Sequence, residues 1–450
     1  MGAWRGVKFS PLTDLAGILL KDADGLDSEL RKRLKGWNAL PYGARREAQL
    51  QHLKYYLLGI TRLCPHYYQT LSGHLKQRHW NWEQFRRLPL STRVCIQDHG
   101  AQMRANRQAR AWTPISSTST SGSTGTPIIT EQTPARARLQ KQLNRQWHES
   151  AGRDSNLGTG FITDPFPGGQ AEPPTGLIKG SWGHGGGLGK AHFLTLRASS
   201  AEQLAWMRLR ELGYLVTYPS NLRALLNESR LTGQRPEDLK EVILSSEPVP
   251  RSLVRRAEEE WCVLVTATYS SSELAAIALQ DSTGQYRIQD CSVLVEVLNA
   301  DGTPTKRGEI GKIVVTTLQE LLRPLIRYEI GDYAEVDEGE DGELLLKNIV
   351  GRQRSMIRHA NGTSVWPYFE LGELAQTGAV RQWQLIQHRD GALTVLVVAK
   401  QLTREDERGI KTAIRSMTGQ LPLTIRQVDS IARTPGGKYR EVISEIEYLS

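Results

Sequence analysis

Ser116-Ser-Thr-Ser-Thr-Ser-Gly-Ser-Thr-Gly-Thr-Pro127 packs hydroxyls and glycines into one short run. Such a run suits a loop wrapped around a polyphosphate. Glycine lets backbone N–H groups converge on an anion, and Ser and Thr hydroxyls add further donors. A flexible linker shares this composition, so the surrounding pattern has to decide between the two. On the N-terminal side, residues 1–90 read as mainly helical, with Leu50, Leu53, Leu57 and Ile60 spaced to paint one helix face apolar. From Trp112 the texture turns to Ser, Thr, Gly and Pro, which predicts a long loop. On the C-terminal side, Val242-Ile-Leu244 and Val263-Leu-Val265 read as strands with a helix over 251–260 between them. Strand, crossover helix and strand in that order predict an α/β layer architecture. A strand entering a turn follows over 296–303, and another strand over 313–318.

After Gly351-Arg352 the pattern resets. Residues 382–387 and 393–398 flank Arg389-Asp390-Gly391 as a hairpin, 404–417 suits a helix, and 423–428 another strand. A chain of 450 residues is too long for one core. The expectation is a large N-terminal domain over 1–351, with mixed sheets and packed helices, and a small α+β domain over 352–450. Apolar residues at 39% and charged residues at 23% suit an ordinary globular protein. No apolar run approaches the roughly 18–20 residues that cross a bilayer. The apolar stretch at 15–20 is short and runs into Lys21-Asp22, which argues against a secretory leader and for a cytoplasmic protein with no membrane partner.

Cys64, Cys95, Cys262 and Cys291 are scattered without a C-x-x-C pair, which argues against a zinc site or disulfide framework. Cys262, beside Val-Leu-Val, reads as a buried thiol. The net charge of +9 is spread along the chain, and the cluster Arg31-Lys32-Arg33-Leu-Lys35 reads as a solvated helix face. No nucleic-acid-binding motif accompanies it, so no nucleic-acid partner is expected. His184-Gly-Gly-Gly-Leu-Gly-Lys190 departs from the Walker A pattern. His184 replaces its first glycine, and Ala191 stands where Ser or Thr would hold Mg²⁺.

Further motifs follow the hydroxyl-rich run in a fixed order. They are Ser245-Ser-Glu-Pro248, Tyr269-Ser-Ser-Ser-Glu273, Arg327-Tyr-Glu-Ile-Gly-Asp332, Gly351-Arg352 and Arg433-Thr-Pro-Gly-Gly-Lys438-Tyr-Arg. Alone, each has an ordinary reading: Glu273 as a helix-start residue, Gly331-Asp332 as a surface turn, Gly437-Lys438 as an exposed loop. As an ordered set they resemble the motifs of the adenylate-forming superfamily. The nearest likeness is to its phenylacetate–CoA ligase, coenzyme F390 synthetase and CapK-like branch. Gly185-Gly-Gly-Leu-Gly189, Tyr218-Pro-Ser-Asn221, Thr316-Thr-Leu318 with Arg323-Pro-Leu-Ile-Arg-Tyr328, and Asn361-Gly-Thr-Ser-Val-Trp-Pro367 carry that likeness. Thr126 stands where many members carry Lys, and Gln353-Arg-Ser355 where the hinge usually carries Asp.

The resemblance implies an enzyme that uses ATP and Mg²⁺ to join a carboxylic acid, an aryl acid by preference, to AMP. The acyl group then passes to an acceptor, CoA first, with a carrier-protein thiol or an amine as alternatives. A non-catalytic nucleotide-binding homologue is the alternative of another class. The family roles carry over by position. Thr120, Ser121, Gly122, Ser123, Thr124 and Gly125 would cradle the outer phosphates. Ser246, Glu247 and Pro248 would line the adenine, with Tyr269 stacking on it. Ser272 would meet the α-phosphate, Glu273 hold Mg²⁺, Asp332 bind the ribose and Arg352 reach the nucleotide. Lys438 would stabilise the reacting carboxylate and phosphate from a mobile small domain. Trp182, His184, Gly187 and Tyr218 would line the acyl pocket. The reading leaves monomer and homodimer both open.

Overall fold

The computed structural model describes residues 11–19, 26–76, 80–106, 113–114, 116–119, 128–163, 171–182, 187–352, 356–359, 361, 363–366, 380–432 and 440–446. The chain forms two compact units. Unit 1 comprises Met1–Arg153 and Tyr269–Asn348, and unit 2 comprises Asp154–Thr268 and Ile349–Ser450.

Unit 1 begins with helices. Tyr42–Leu63 buries Leu53, Leu57 and Ile60, as their spacing requires. Leu26–Asn38 buries Leu30, Leu34 and Trp37, and it leaves Lys32, Arg33 and Lys35 exposed, as expected for a solvated basic face. Polar anchors tie these helices to the strands that follow. Asp290 accepts hydrogen bonds from the Trp37 indole at 2.8 Å and from Arg45 at 2.7 Å. Burial pushes the Asp290 carboxyl above its usual range, against the opposing pull of Arg45 and Trp37. The strands of unit 1 lie in the order Val293–Leu298, Ile310–Thr317, Tyr328–Glu338, Leu344–Arg352 (whose last four residues pass into unit 2), Tyr286–Ile288 and Ala275–Gln280. The first three pair antiparallel.

The long loop expected from Trp112 is interrupted. Ser116–Ser119 and Ile129–Gln132 are strands paired antiparallel, with Ser119 opposite Ile129. Ser and Thr satisfy the backbone ladder here because pairing, not side-chain propensity, decides such a short strand.

In unit 2 five strands run parallel in the order Leu264–Ser271, Glu241–Ser245, Leu212–Thr217, Gly158–Thr163 and Lys190–Thr195. Leu177–Ser181 adds an antiparallel edge, and the last residues of the first strand pass into unit 1. Ser200–Leu209, Pro219–Thr232 and Arg251–Trp261 are the intervening helices. Val242, Ile243 and Leu244 are all buried in their strand.

Cys262 contradicts its expected burial. It is an exposed, free thiol at the helix C-cap, in left-handed geometry (φ 57°), and the next strand begins only at Leu264. A cap residue projects where the helix axis leaves the core, so its apolar neighbours do not bury it.

The C-terminal part of unit 2 carries a four-stranded sheet ordered Leu423–Gln427, Leu393–Ala399, Val380–Gln387 and Val442–Ser444. Helix Arg404–Thr418 opens on a Thr403–Asp406 capping box and inserts Ile410 and Ile414 into a core with Trp383, Leu385 and Val395. The architecture is α/β with a mixed set of strands and a smaller C-terminal sheet.

Candidate active site

In unit 1, two of the sequence motifs meet. The strand Leu264–Ser271 carries Tyr269 and ends in a tight turn, closed by the Leu274 N–H on the Ser271 hydroxyl at 3.1 Å. Tyr269 is buried, and its hydroxyl donates to the Asp332 carboxylate at 3.0 Å. Asp332 follows Gly331, whose φ of 87° bends the strand Tyr328–Glu338 at a conformation open to glycine. Arg327 anchors the same segment. Its guanidinium, 5% exposed, grips Glu296 through two bonds of 3.0 and 3.1 Å and donates to the Leu88 carbonyl at 2.6 Å. The arginine of this motif is thus a fixed strut that places Asp332 rather than a group presented to solvent.

Glu273 occupies the turn after Tyr269. Its carboxylate is 10% exposed and lies 3.5 Å from Arg93 on the helix Arg93–His99. Arg136 donates to the carbonyl of the neighbouring, exposed Ser272 at 3.2 Å. Ile128, Glu131, Arg136 and Glu273 line one small cavity of about 40 Å³. Ile128, the first described residue after the hydroxyl-rich run, lines the same cavity as Glu273. Glu131 loses solvent there, yet hydrogen bonds from Arg104 and Arg323 outweigh that loss and hold its pKa below the usual range. Thr120, Ser121, Gly122, Ser123, Thr124 and Gly125 lie outside the described residues; the strand pair on either side of them is described.

Unit 2 holds the other motifs. Ser246 is exposed in left-handed geometry (φ 70°) at the end of the strand Glu241–Ser245. That turn aims Glu247 at the start of the helix Pro219–Thr232. Its carboxylate accepts from the Ser220 backbone N–H at 2.9 Å and from the Ser220 hydroxyl at 3.0 Å. A carboxylate at a helix N-terminus satisfies an orphan donor and complements the dipole. Exposed Pro248 packs near Gly351, where an added Cβ would sit 3.6 Å from the proline ring. Arg352 follows and is exposed. Burial and the charge of Arg352 together lower the pKa of Arg440. Lys438 and His184 lie outside the described residues.

Trp182 and Tyr218 are both buried. Trp182 packs with Ala191 and Tyr214, and its indole N–H donates to the Leu157 carbonyl at 2.5 Å. Gly187 and Gly189 sit backbone-to-backbone on the preceding segment. A Cβ on Gly187 would meet the Ser155 oxygen at 2.2 Å, and one on Gly189 the Leu157 oxygen at 2.1 Å. These glycines are explained by close chain approach. Sequence reasoning missed Arg93, Arg136, Ser220, Arg223 and Glu441. Each earns its place through a partner far along the chain, which spacing does not reveal.

Among the described residues no group of three His, Cys, Asp or Glu side chains is arranged to hold a metal ion, and no helix is long and apolar enough to cross a membrane. No protein-family profile matches the chain. Over 188 residues it is 29% identical to a phenylacetate–coenzyme A ligase of Thermus thermophilus, a match covering 39% of this chain and 42% of that relative. The matched segment therefore spans less than half of the relative's length. Among solved structures, a 2-hydroxyisobutyryl-CoA ligase in the postadenylation state with 2-HIB-AMP aligns with a TM-score of 0.71 at 19% identity, over 90% of each chain. An anthranilate CoA ligase in complex with anthranoyl-AMP aligns with a TM-score of 0.53 at 17% identity, over 77% of this chain and 69% of the other. The chain thus shares the fold of a 2-hydroxyisobutyryl-CoA ligase and, over 188 residues, resembles a phenylacetate–coenzyme A ligase in sequence.

Proposed function

We propose that this protein activates a carboxylic acid as an acyl-AMP at the expense of ATP and passes the acyl group to an acceptor, CoA in the first instance. In the first step a substrate carboxylate oxygen attacks the α-phosphorus of ATP. The bond to the bridging oxygen of the β-phosphate breaks, and pyrophosphate leaves. In the second, the acceptor thiol attacks the acyl carbon, loses its proton and displaces AMP. The observation that carries this reading is the small cavity lined by both Glu273 and Ile128, the residue that follows the hydroxyl-rich run in the sequence. The Tyr269–Asp332 bond sets the proposed adenine and ribose residues side by side in the same unit.

Positioning and charge neutralisation are most of what such a displacement asks of a protein. Thr120 to Gly125 would donate to the β,γ-phosphates, and Lys438 would neutralise charge growing between the carboxylate and the α-phosphate. Asp332 would accept from the ribose diol, and Arg352 would add a cation. The donor set fits Mg²⁺: one recessed carboxylate, Glu273, suits an ion that fills its other positions with phosphate oxygens and water. Bound there, the ion would offset the charge of the phosphates. Residues 352–450 would form the lid that carries Lys438. Trp182, His184, Gly187 and Tyr218 would shape an acyl pocket suited to a planar aryl acid.

The test is pyrophosphate exchange into ATP with a panel of phenylacetate, anthranilate and 2-hydroxyisobutyrate, followed by CoA consumption. Acid-dependent exchange is the expected result. A protein that binds ATP and shows no exchange with any acid, fatty acids included, would be a nucleotide-binding homologue without the activity.

A further inference from the structure

One ion pair in unit 2 joins segments that the reaction has to bring together. Arg223 lies one turn into the helix Pro219–Thr232, whose first turn Glu247 holds through Ser220. The Arg223 guanidinium, 11% exposed, reaches the Glu441 carboxylate at 3.3 Å. Glu441 stands three positions after Lys438 in the sequence. Its backbone is fixed independently by the C-terminal sheet. The Leu385 N–H donates to the Glu441 carbonyl at 2.8 Å, and the Gln384 amide donates to the Arg440 carbonyl at 2.8 Å. The backbone at 440–441 thus belongs to one sheet, while the side chain of Glu441 is held by a helix of the other.

We propose that the Arg223–Glu441 pair anchors the downstream end of the Lys438 segment for acyl-adenylate formation, with both residues acting as positioning residues. The proposal rests on the adenylation reading above.

The local charges explain why a pair is needed at this point. Burial raises the pKa of Glu441, Arg223 opposes that rise, and the charge of Glu247 adds to it. Without Arg223, the charge of Glu247 would act unopposed on the half-buried Glu441 carboxylate. An arginine there converts a repulsive meeting of the two segments into an attractive one. Its geometry also fixes one arrangement, since a guanidinium offers its donors in a rigid plane.

The experiment compares Arg223→Glu, Glu441→Arg, the double reversal and the isosteric Glu441→Gln. It uses pyrophosphate exchange with the first acid of the panel that supports it in the unaltered protein. Each single reversal is expected to lower the kcat of exchange by about a hundredfold, the scale of a small misplacement of a reacting group. The KM for ATP and the melting temperature should hold. The double reversal should recover most of the rate, because the attraction is restored with its partners exchanged. A double variant no better than the single ones would overturn the proposal, as would a rise in KM with kcat unchanged. If Glu441→Arg does not fold, Glu441→Gln decides, and full exchange in that variant counts against the pair. No exchange in the unaltered protein would remove the adenylation reading and this proposal with it, and is seen before any variant is made.

Discussion

Tyr269 offers a way to separate ring from hydroxyl. Its ring is the surface proposed for adenine, while its hydroxyl is spent on Asp332 at 3.0 Å. Tyr269→Phe keeps the ring and removes one donor to a carboxylate, a loss of about 1.5 kcal/mol for a charge-assisted bond. The expected outcome is close to a tenfold rise in the KM for ATP, with kcat little changed, measured in pyrophosphate exchange. Equal KM values would show that Asp332 is held by other contacts. Lys438 should behave in the opposite way. A donor aimed at charge that develops only in the transition state is worth about 3–4 kcal/mol, or roughly 10²–10³ in rate. Lys438→Ala should therefore abolish most exchange while ATP binding by calorimetry survives. Near-normal exchange would remove Lys438 from the mechanism.

Among the structural elements, the glycines around Trp182 belong to packing as much as to any pocket. Gly189→Ala would drive a Cβ to 2.1 Å from the Leu157 carbonyl oxygen, and backbone atoms cannot yield as side chains do. A loss of about 1–3 kcal/mol is expected in urea unfolding. Gly180→Ala, with open space around it, should be nearly neutral and serves as the control. What the sequence disclosed of these elements follows from how local each signal is. Val242-Ile-Leu244 announced a parallel strand because both faces of such a strand are buried, leaving a continuous apolar run. The helix Arg404–Thr418 was legible from its own residues, to within one position of its end. Ser116–Ser119 was not, since its strand character comes from pairing with Ile129–Gln132 rather than from its own residues. Tyr269, Glu273 and Asp332 were found because a motif carries them. Arg223 and Glu441, 218 positions apart, have no common local signal. Cys262 misled because an apolar run was read through a helix cap.

Taken as a whole, the molecule's response to acid turns on histidine as well as on carboxylates. His52 is 3% exposed and sits between Thr13 and Leu318, with the Leu318 carbonyl 2.7 Å from Nε2 and the Thr13 hydroxyl 3.1 Å from Nδ1. Burial lowers its pKa from 6.5 to about 4, against the Leu318 carbonyl, which favours the charged ring. Between those values the unfolded chain binds a proton that the folded chain refuses. Stability from this group is therefore complete above pH 6.5 and drains away as pH falls toward about 4. At about 1.4 kcal/mol per unit of pKa, the full loss is about 3.5 kcal/mol. Asp290 acts in the opposite sense. Its raised pKa means that acid relieves a cost already present in the folded state, so the slope of the unaltered protein alone mixes both groups. The difference between the unaltered protein and His52→Gln isolates the histidine. Asp290 titrates identically in both, and glutamine keeps an amide near the Leu318 carbonyl without a proton to gain. Urea unfolding should show the two stability curves converging by about 3.5 kcal/mol as pH drops through this window. Parallel curves would mean that the ring takes up its proton in the folded protein as readily as in the unfolded chain, and that the packing around Leu318 opens before acid reaches it.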